Sequence, residues 1–117
     1  MAEVMTDDRT WVAKHRFARI APRKARLVMA LIRGLPCQTA LDVLRFDPRR
    51  AAVMIAATLK SAMSNANEQE ADMPRLFVGE GRVDGGPTTK RWRPKDRGRA
   101  HPILKRTSHL IVAVKEQ

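Results

Sequence analysis

The spacing of apolar residues predicts three helices in the first half of the chain. Pro22 suits the first position of the first helix, and Gly34 is well placed to end it in a left-handed conformation. Apolar residues then recur at the period of one helical face, which we expect to be buried. The members of this face are Leu27, Val28, Leu31 and Ile32.

A second, short helix can open at Pro36, and Asp47 followed by Pro48 is a strong start signal for a third. Asp47 supplies an acceptor for the first helical amides, and Pro48 has its φ already set. We expect the third helix to cover roughly residues 48–66. The expected inward residues are Ala40, Leu41 and Leu44 in the second helix and Ala52, Ile55, Ala56, Leu59, Ala62 and Met63 in the third.

Elsewhere the apolar period is two, which indicates strands. Residues 11–20 predict a first strand with impure alternation, a second begins near Leu76, and residues 107–114 alternate well. In the last strand, Leu110, Val112 and Val114 are expected on one face and Ile111 and Ala113 on the other. In the first strand, one face has Trp11, Ala13 and Phe17, interrupted by His15, and the other has Val12, Ala18 and Ile20. A helical group followed by a hairpin is an α+β pattern.

The segment between the strand at Leu76 and the last strand, residues 81–106, is the most basic part of the chain. It holds nine Lys or Arg against two Asp, with four Gly and three Pro. Such a segment cannot build an apolar core of its own. Arg outnumbers Lys by six to three, and the planar guanidinium binds phosphate oxygens through paired hydrogen bonds. This turn-rich cationic arm therefore predicts binding to a polyanion.

The bulk composition points the same way. A chain of 117 residues with 44% hydrophobic residues is one domain with a modest, mostly aliphatic core. Its formal net charge of +11 favours a permanent anionic partner, either nucleic acid or an anionic membrane surface. The membrane is the weaker candidate, because no apolar run approaches the ~20 residues that span a bilayer. The first eleven residues lack the features of a signal peptide, so we expect the chain in the cytoplasm.

The titratable residues form no recognisable catalytic or metal site. The histidines His15, His101 and His109 are scattered, and neither a phosphate-loop nor a nucleophile-elbow motif occurs. Cys37 is the only cysteine, so we expect a buried or half-buried thiol without a disulfide or zinc role. No catalytic residue, metal ligand or cofactor is predicted, and a small enzyme is kept as a rival interpretation.

RNA suits the arm better than DNA. Trp92 lies between Arg91 and Arg93, so we expect an exposed ring that can stack on a base rather than a ring packed on the other strand. A flexible arm matches irregular RNA, whereas reading duplex DNA needs a recognition helix; a sequence-specific DNA-binding protein is the second rival. A further basic cluster could bind phosphate or be a solvated helix face, and the two interpretations are about even. Its members are Arg16, Arg19, Arg23, Lys24 and Arg26.

Several motifs resemble those of a known family. APRKARLVMALIRG at residues 21–34 looks like its first-helix signature, and LKSAMSNA at residues 59–66 continues the match. Residues 83–114 carry GPxxKR, RP, GRA and KRTSH in the family's order and spacing. On these motifs the chain resembles the large-subunit ribosomal protein L twenty-two family, in its bacterial form. Residues 1–10 lie outside the resemblance, and we expect them to be a flexible extension of a single domain at residues 11–117.

The resemblance implies three helices packed on a small three-stranded antiparallel sheet, with one long extended hairpin, here at about residues 82–104. It implies a structural constituent of the large ribosomal subunit that binds 23S rRNA, helps assembly, and lines the nascent-peptide exit tunnel with its hairpin. The implied partners are rRNA, neighbouring ribosomal proteins at the tunnel and the nascent polypeptide, with no membrane and no homo-oligomer.

The resemblance also assigns residues. The implied rRNA contacts are Arg16, Arg19, Arg23, Lys24, Arg26, Arg82, Lys90, Arg91, Arg93, Lys95, Arg97, Arg99, Lys105, Arg106 and His109. The implied tunnel-lining or stacking residues are Lys90, Arg91, Trp92, Arg93, Pro94 and Lys95. Two residues depart from the family pattern. Asp96 is an acid near the tip that must pair with a neighbouring Arg or face the lumen, and Trp92 is bulkier than the expected aliphatic residue.

Overall fold

The computed structural model describes residues 9–95 and 98–116, which form one sheet with helices packed on it. In chain order the elements are β1 (Thr10–Ala18), α1 (Pro22–Ile32), α2 (Cys37–Phe46), α3 (Arg50–Glu68), a 3₁₀ turn (Met73–Arg75), β2 (Leu76–Lys95) and β3 (Arg99–Glu116). The strands form one antiparallel sheet in the order β1-β3-β2. Within these ranges the predicted α+β fold, with three helices, a three-stranded sheet and one long hairpin, is confirmed.

β3 is the central strand, and its apolar residues are buried on both faces. Leu110, Val112 and Val114 belong to the main core, which the helices cover. Ile111 and Ala113, on the opposite face, are also buried. The predicted alternation is therefore correct, but it does not separate a solvent-exposed face from a buried one. A central strand has neighbours along both of its edges, so even its outward side chains are shielded.

α1 begins at Pro22 as predicted, and Gly34 after it has φ +79°. Half of its predicted buried face is wrong. Val28 and Ile32 are buried, but Leu27 and Leu31 are 60% and 46% exposed. The stripe that faces the sheet is rotated around the helix relative to the predicted face. Its members are Ala25, Val28, Met29 and Ile32.

The other two helices start slightly later than predicted. Pro36 is the residue before α2 rather than its first residue, and α3 begins at Arg50. Asp47 Oδ1 accepts a hydrogen bond of 2.9 Å from the amide of Arg49, so it organises the turn before α3 instead of capping the helix directly. The predicted inward residues are buried, except that Leu41 and Ala56 are half-buried. The long alanine-rich stripe of α3 forms the centre of the core.

β1 is irregular near its end. Its pairing with β3 shifts between His15 and Ala18, and Phe17 has a φ of +58°. Phe17 was expected to share a face with Trp11 and Ala13, but the irregularity turns its side chain out of the sheet, and it is 52% exposed. Thr10, placed in the flexible extension by the sequence, belongs to β1; residues 1–8 of that extension lie outside the described residues.

The hairpin continues the sheet outward as a two-stranded ribbon. β2 and β3 pair from Leu76 with Glu116 to Lys95 with Arg99, whereas β1 pairs with β3 only as far as Ser108. An extra residue on β2 between Gly85 and Thr88 marks a bulge at the start of the ribbon. The radius of gyration is 17.4 Å, against roughly 13 Å for a compact domain of this length. The hairpin therefore projects from the body.

Candidate nucleic-acid interface

A cationic cleft of about 1180 Å³ lies where the ribbon leaves the body. One wall belongs to the body and consists of Arg19, Ile20, Ala21, Lys24, Leu27, Arg49, Arg50 and Ala51. The other belongs to the ribbon and consists of Thr89, Arg91, Leu104, Lys105, Arg106 and Thr107. Seven of these residues are Lys or Arg, and in the described part of the chain no acid lines the cleft. Of these cations, Arg49 lies 3.9 Å from a carboxylate oxygen of Asp47, which stands outside the lining.

One hydrogen bond joins the ribbon to the body, and another fixes the body wall itself. Ser108 Oγ donates a 2.6 Å hydrogen bond to the carbonyl oxygen of Ile20, which fastens the root of the ribbon to the corner between β1 and α1. An Nη2 of Arg50 donates to the carbonyl oxygen of Arg19, which links the start of α3 to the same corner. The positive charges are therefore presented by a fixed framework rather than by independent loops.

Two helices begin at this cleft. The residues before α1 and α3, Ala21 and Arg49, both line it, and neither helix start has a side-chain cap. The first amides of a helix lack partners inside the helix and carry a partial positive charge. Such helix starts bind phosphate groups readily. The backbone thus adds to the field of the seven cationic side chains.

The basic cluster around the start of α1 divides into two groups. Arg19 and Lys24 line the cleft, and Arg16 and Arg23 are exposed. Arg26 instead reaches β2, where its Nε and Nη2 donate hydrogen bonds of 3.2 and 3.1 Å to the carbonyl oxygen of Val83. Arg26 therefore takes part in the packing of α1 on β2, and two of its guanidinium nitrogens already donate hydrogen bonds within the protein.

The predicted residues of the inner ribbon also differ from one another. Arg91, Lys105 and Arg106 line the cleft. Arg82 is flanked by carboxylates, with its guanidinium 3.4 Å from Glu80 and 3.3 Å from Asp84. Its charge is therefore largely balanced within the protein, which reduces what it can offer to a phosphate.

Farther out, two residues of β2 have exposed side chains. Lys90 and Trp92 follow each other on one face of β2, and Trp92 is 65% exposed, which confirms that the ring is not packed on the other strand. The backbone of β2 and β3 carries Arg93, Pro94, Lys95 and Arg99 toward the tip. Arg97, together with Asp96, lies outside the described residues.

His109 contacts the protein rather than open solvent alone. Its Nδ1 accepts a 3.1 Å hydrogen bond from the amide of Phe17, and the two rings meet edge to face with centroids 4.9 Å apart. One of its two ring nitrogens is therefore engaged at the irregular end of β1. The structure places this histidine in a local aromatic pair beside the root of the ribbon.

The cleft contains residues that the sequence did not single out. Arg49 and Arg50 fall at the predicted start of the third helix and received no binding role there, but the structure places both in the cleft, beside the corner before α1. Their position directly after Pro48, at the predicted start of a helix, was the sequence feature that could have indicated a phosphate-binding role. Leu27 and Leu104, both exposed, add apolar surface to the cleft, and the helical period predicted the opposite for Leu27.

The rest of the described chain offers little other chemistry. Cys37 is free and buried, and desolvation raises the pKa of its thiol to about 11, so it is a poor nucleophile. No group of three or more potential metal-ligating residues occurs within residues 9–95 and 98–116. Over the same ranges, none of the helices combines the length and the hydropathy needed to cross a bilayer.

The family model described as Ribosomal protein L22p/L17e matches residues 13–115, nearly the whole chain. The matched region includes the cleft, the ribbon and the three helices.

Proposed function

The chain belongs to the ribosomal protein L22p/L17e family, and on this premise we propose that its cationic cleft grips rRNA while its ribbon lines the nascent-peptide exit tunnel. As a member of this family it is a large-subunit ribosomal protein that binds rRNA, and its role is structural rather than catalytic. The roles of the cleft in binding rRNA and of the ribbon in lining the tunnel are what we propose. That the protein is bacterial stays a prediction from the sequence.

The cleft is the observation that carries the proposal. Seven cations, two uncapped helix starts and no acid among the described lining residues make a surface whose natural ligand is a phosphate backbone. The bidentate geometry of arginine favours phosphate oxygens, and five of the seven cations are arginines. The cleft is also too open and too polar to suit a small apolar ligand.

The ribbon supports the second half of the proposal. It is two strands wide and carries exposed side chains at Lys90, Arg91 and Trp92. Such a ribbon gains order from what surrounds it. We propose that rRNA encloses it in a cytoplasmic ribosome, and that the face near Trp92 borders the tunnel, where neighbouring ribosomal proteins and the nascent polypeptide pass.

An assembly role follows from shape. The longest extent of the molecule is 63 Å, and positive charge is present both at the cleft and along the ribbon. Two separate rRNA segments can therefore contact one protein molecule without repelling each other across a short distance, since each segment is neutralised locally. In this proposal the protein holds such segments together while the subunit forms.

The test is the salt dependence of binding to large-subunit rRNA. If each of the seven cleft cations neutralises one phosphate, log K should fall with log salt with a slope of about −5 to −6. The variant Arg91→Gln/Lys105→Gln/Arg106→Gln removes three of these charges from the ribbon wall. We expect weaker binding and a slope shallower by about 2 to 3.

A matched control has the same loss of charge away from the cleft. Arg45→Gln/Lys60→Gln/Arg75→Gln replaces three exposed cations that do not line it. The control should bind rRNA with nearly the wild-type slope. Equal effects of the two triple variants would show that the cleft is not the electrostatic contact. Binding to duplex DNA as tight as to rRNA at matched salt would instead favour a DNA-binding protein.

A further inference from the structure

Phe17 is an exposed aromatic residue held in an unfavourable backbone conformation. Its φ of +58° lies in the left-handed region, which residues with a β-carbon rarely adopt. The conformation does not serve the core, because the ring is 52% exposed. Strained positions of this kind persist only where surrounding contacts fix them, and they cluster at functional sites.

The contacts around Phe17 fix both its backbone and its ring. The amide donates to Nδ1 of His109 at 3.1 Å, and the His109 ring meets the phenyl ring edge to face at 83°. The guanidinium of Arg16 lies 5.1 Å from the centroid of the phenyl ring. The ring is therefore oriented in advance by two neighbours and still presents about half of its surface to solvent.

The position relative to the cleft suggests what this surface meets. Phe17 precedes Arg19 by two residues, and its partner His109 follows the cleft residues Arg106 and Thr107 on β3. An apolar protein partner would have to bury the adjacent cations, which is unfavourable. A nucleic acid strand satisfies both features, since its phosphates meet the cations and its bases have flat apolar faces that stack on aromatic rings.

We propose that the ring of Phe17 stacks on an unpaired base of the rRNA strand that enters the cleft, and that His109 is the positioning residue for this ring. The inference rests on the rRNA binding proposed above and adds to it a contact that is not electrostatic. Stacking on a single base discriminates against a fully paired duplex, because a paired base is not free to leave its own stack. The strand at this edge of the cleft is therefore single-stranded.

The experiment measures the affinity of the full-length protein for in vitro transcribed large-subunit rRNA over a range of salt concentrations. Phe17→Leu keeps an apolar side chain that is not β-branched but removes the aromatic face, and Phe17→Trp keeps an aromatic face. We expect Phe17→Leu to weaken binding about 5- to 150-fold with an unchanged salt slope, because no charge is lost. Phe17→Trp should bind within about threefold of the wild type. Thermal unfolding of each variant verifies that it is folded.

Phe46 provides a matched control. It is 82% exposed and has the guanidinium of Arg45 5.9 Å from its ring centroid, but it lies at the end of α2 and does not line the cleft. Phe46→Leu should leave the affinity unchanged. Equal losses for Phe17→Leu and Phe46→Leu, or no loss for Phe17→Leu, would overturn the stacking while leaving the proposed function intact. A wild-type protein that does not bind rRNA would overturn both.

The role of His109 is tested by non-additivity. His109→Ala should weaken rRNA binding by releasing the ring of Phe17, so the double variant with Phe17→Leu should bind no more weakly than Phe17→Leu alone. His109→Asn, which retains an acceptor for the Phe17 amide, should recover part of the affinity. Independent, additive losses would show that His109 contacts the RNA itself and would overturn its positioning role.

Discussion

The hydroxyl of Ser108 donates a 2.6 Å hydrogen bond to the carbonyl oxygen of Ile20, across 88 residues of chain, and Ser108 is fully buried. This bond joins β3, at the point where β1 stops pairing with it, to the corner that leads into α1. Both residues lie at the edge of the cationic cleft. The position of the ribbon relative to the body therefore depends on a buried polar contact as well as on the β-ladder.

Ser108→Ala should destabilise the protein by about 1–3 kcal/mol, because the carbonyl oxygen of Ile20 loses its partner in a dry environment. Urea unfolding measures this loss. Thr107→Val is the control: Thr107 Oγ1 donates a 2.6 Å hydrogen bond to Pro87, but at an exposed site where water can replace it. The control should change the unfolding free energy by less than about 1 kcal/mol. Equal losses for the two variants would mean that burial of the Ser108 contact is unimportant.

Gly81 sets the distance between α1 and the sheet. A β-carbon added there would lie 2.8 Å from Sδ and 2.9 Å from Cγ of Met29, which is itself completely buried. Gly81→Ala should cost about 1–3 kcal/mol through overpacking. Gly85→Ala, on the same strand but with open space around the added carbon, should have almost no effect.

A double-mutant cycle with Met29→Ala checks the cause of the Gly81 effect. Met29→Ala alone should cost about 2–5 kcal/mol because it leaves a cavity. If the clash with Met29 is responsible, the double variant should be more stable than the sum of the two single effects predicts. Additive effects would place the strain of Gly81→Ala elsewhere.

Much of the fold could be predicted because local signals agreed with the tertiary structure. Pro22 and Gly34 mark the ends of α1 through the conformations that these two residues favour, and the alanine-rich stripe of α3 allows only one buried face. Leu27 and Leu31 were misassigned because helical period alone cannot choose between two overlapping stripes. The choice depends on Gly81, more than forty residues away, which lets the stripe with Met29 approach the sheet.

Only part of the candidate site could be predicted from the sequence, because some of its residues are brought together by contacts between distant parts of the chain. The charges of the ribbon are contiguous and were recognised from composition. Arg49 and Arg50 join them only because the hydrogen bond from Arg50 to Arg19 brings the start of α3 to the corner before α1. The left-handed conformation of Phe17 depends equally on its distant partner His109. Contacts between residues so far apart leave no local pattern.

Arg26 and Lys24 should have different roles although both belong to the same basic cluster. Arg26→Gln removes two hydrogen bonds to Val83, and we expect a loss of about 1 kcal/mol in unfolding free energy with little change in the salt slope of rRNA binding. Lys24→Gln, at an exposed residue that lines the cleft, should leave stability unchanged and make the slope shallower by about 0.7 to 0.9. Urea unfolding and rRNA titration of the two variants separate these effects. A shallower salt slope without a loss of unfolding free energy for Arg26→Gln would show that Arg26 is primarily a phosphate ligand.

The buried thiol of Cys37 makes the stability of the protein depend on pH in the alkaline range. A cysteine in the first turn of a helix usually has a lowered pKa, but here desolvation prevails and raises the pKa to about 11. In the unfolded chain the thiol ionises near its ordinary pKa of about 8.5. Between these two values the unfolded state releases a proton that the folded state retains, so the folded state loses stability as the pH rises.

Comparison with Cys37→Ala isolates this contribution, since the other titratable groups are the same in both proteins. Below about pH 8.5 the wild type should exceed the variant in unfolding free energy by a constant amount, which reflects the lost packing of the sulfur. The difference should shrink steadily as the pH rises toward 11, because only the wild type has a thiol to ionise on unfolding. Urea unfolding at several pH values between 7 and 10.5 measures it. Parallel curves for the two proteins would mean that the thiol ionises as readily in the folded protein as in the unfolded chain, and that burial does not control it.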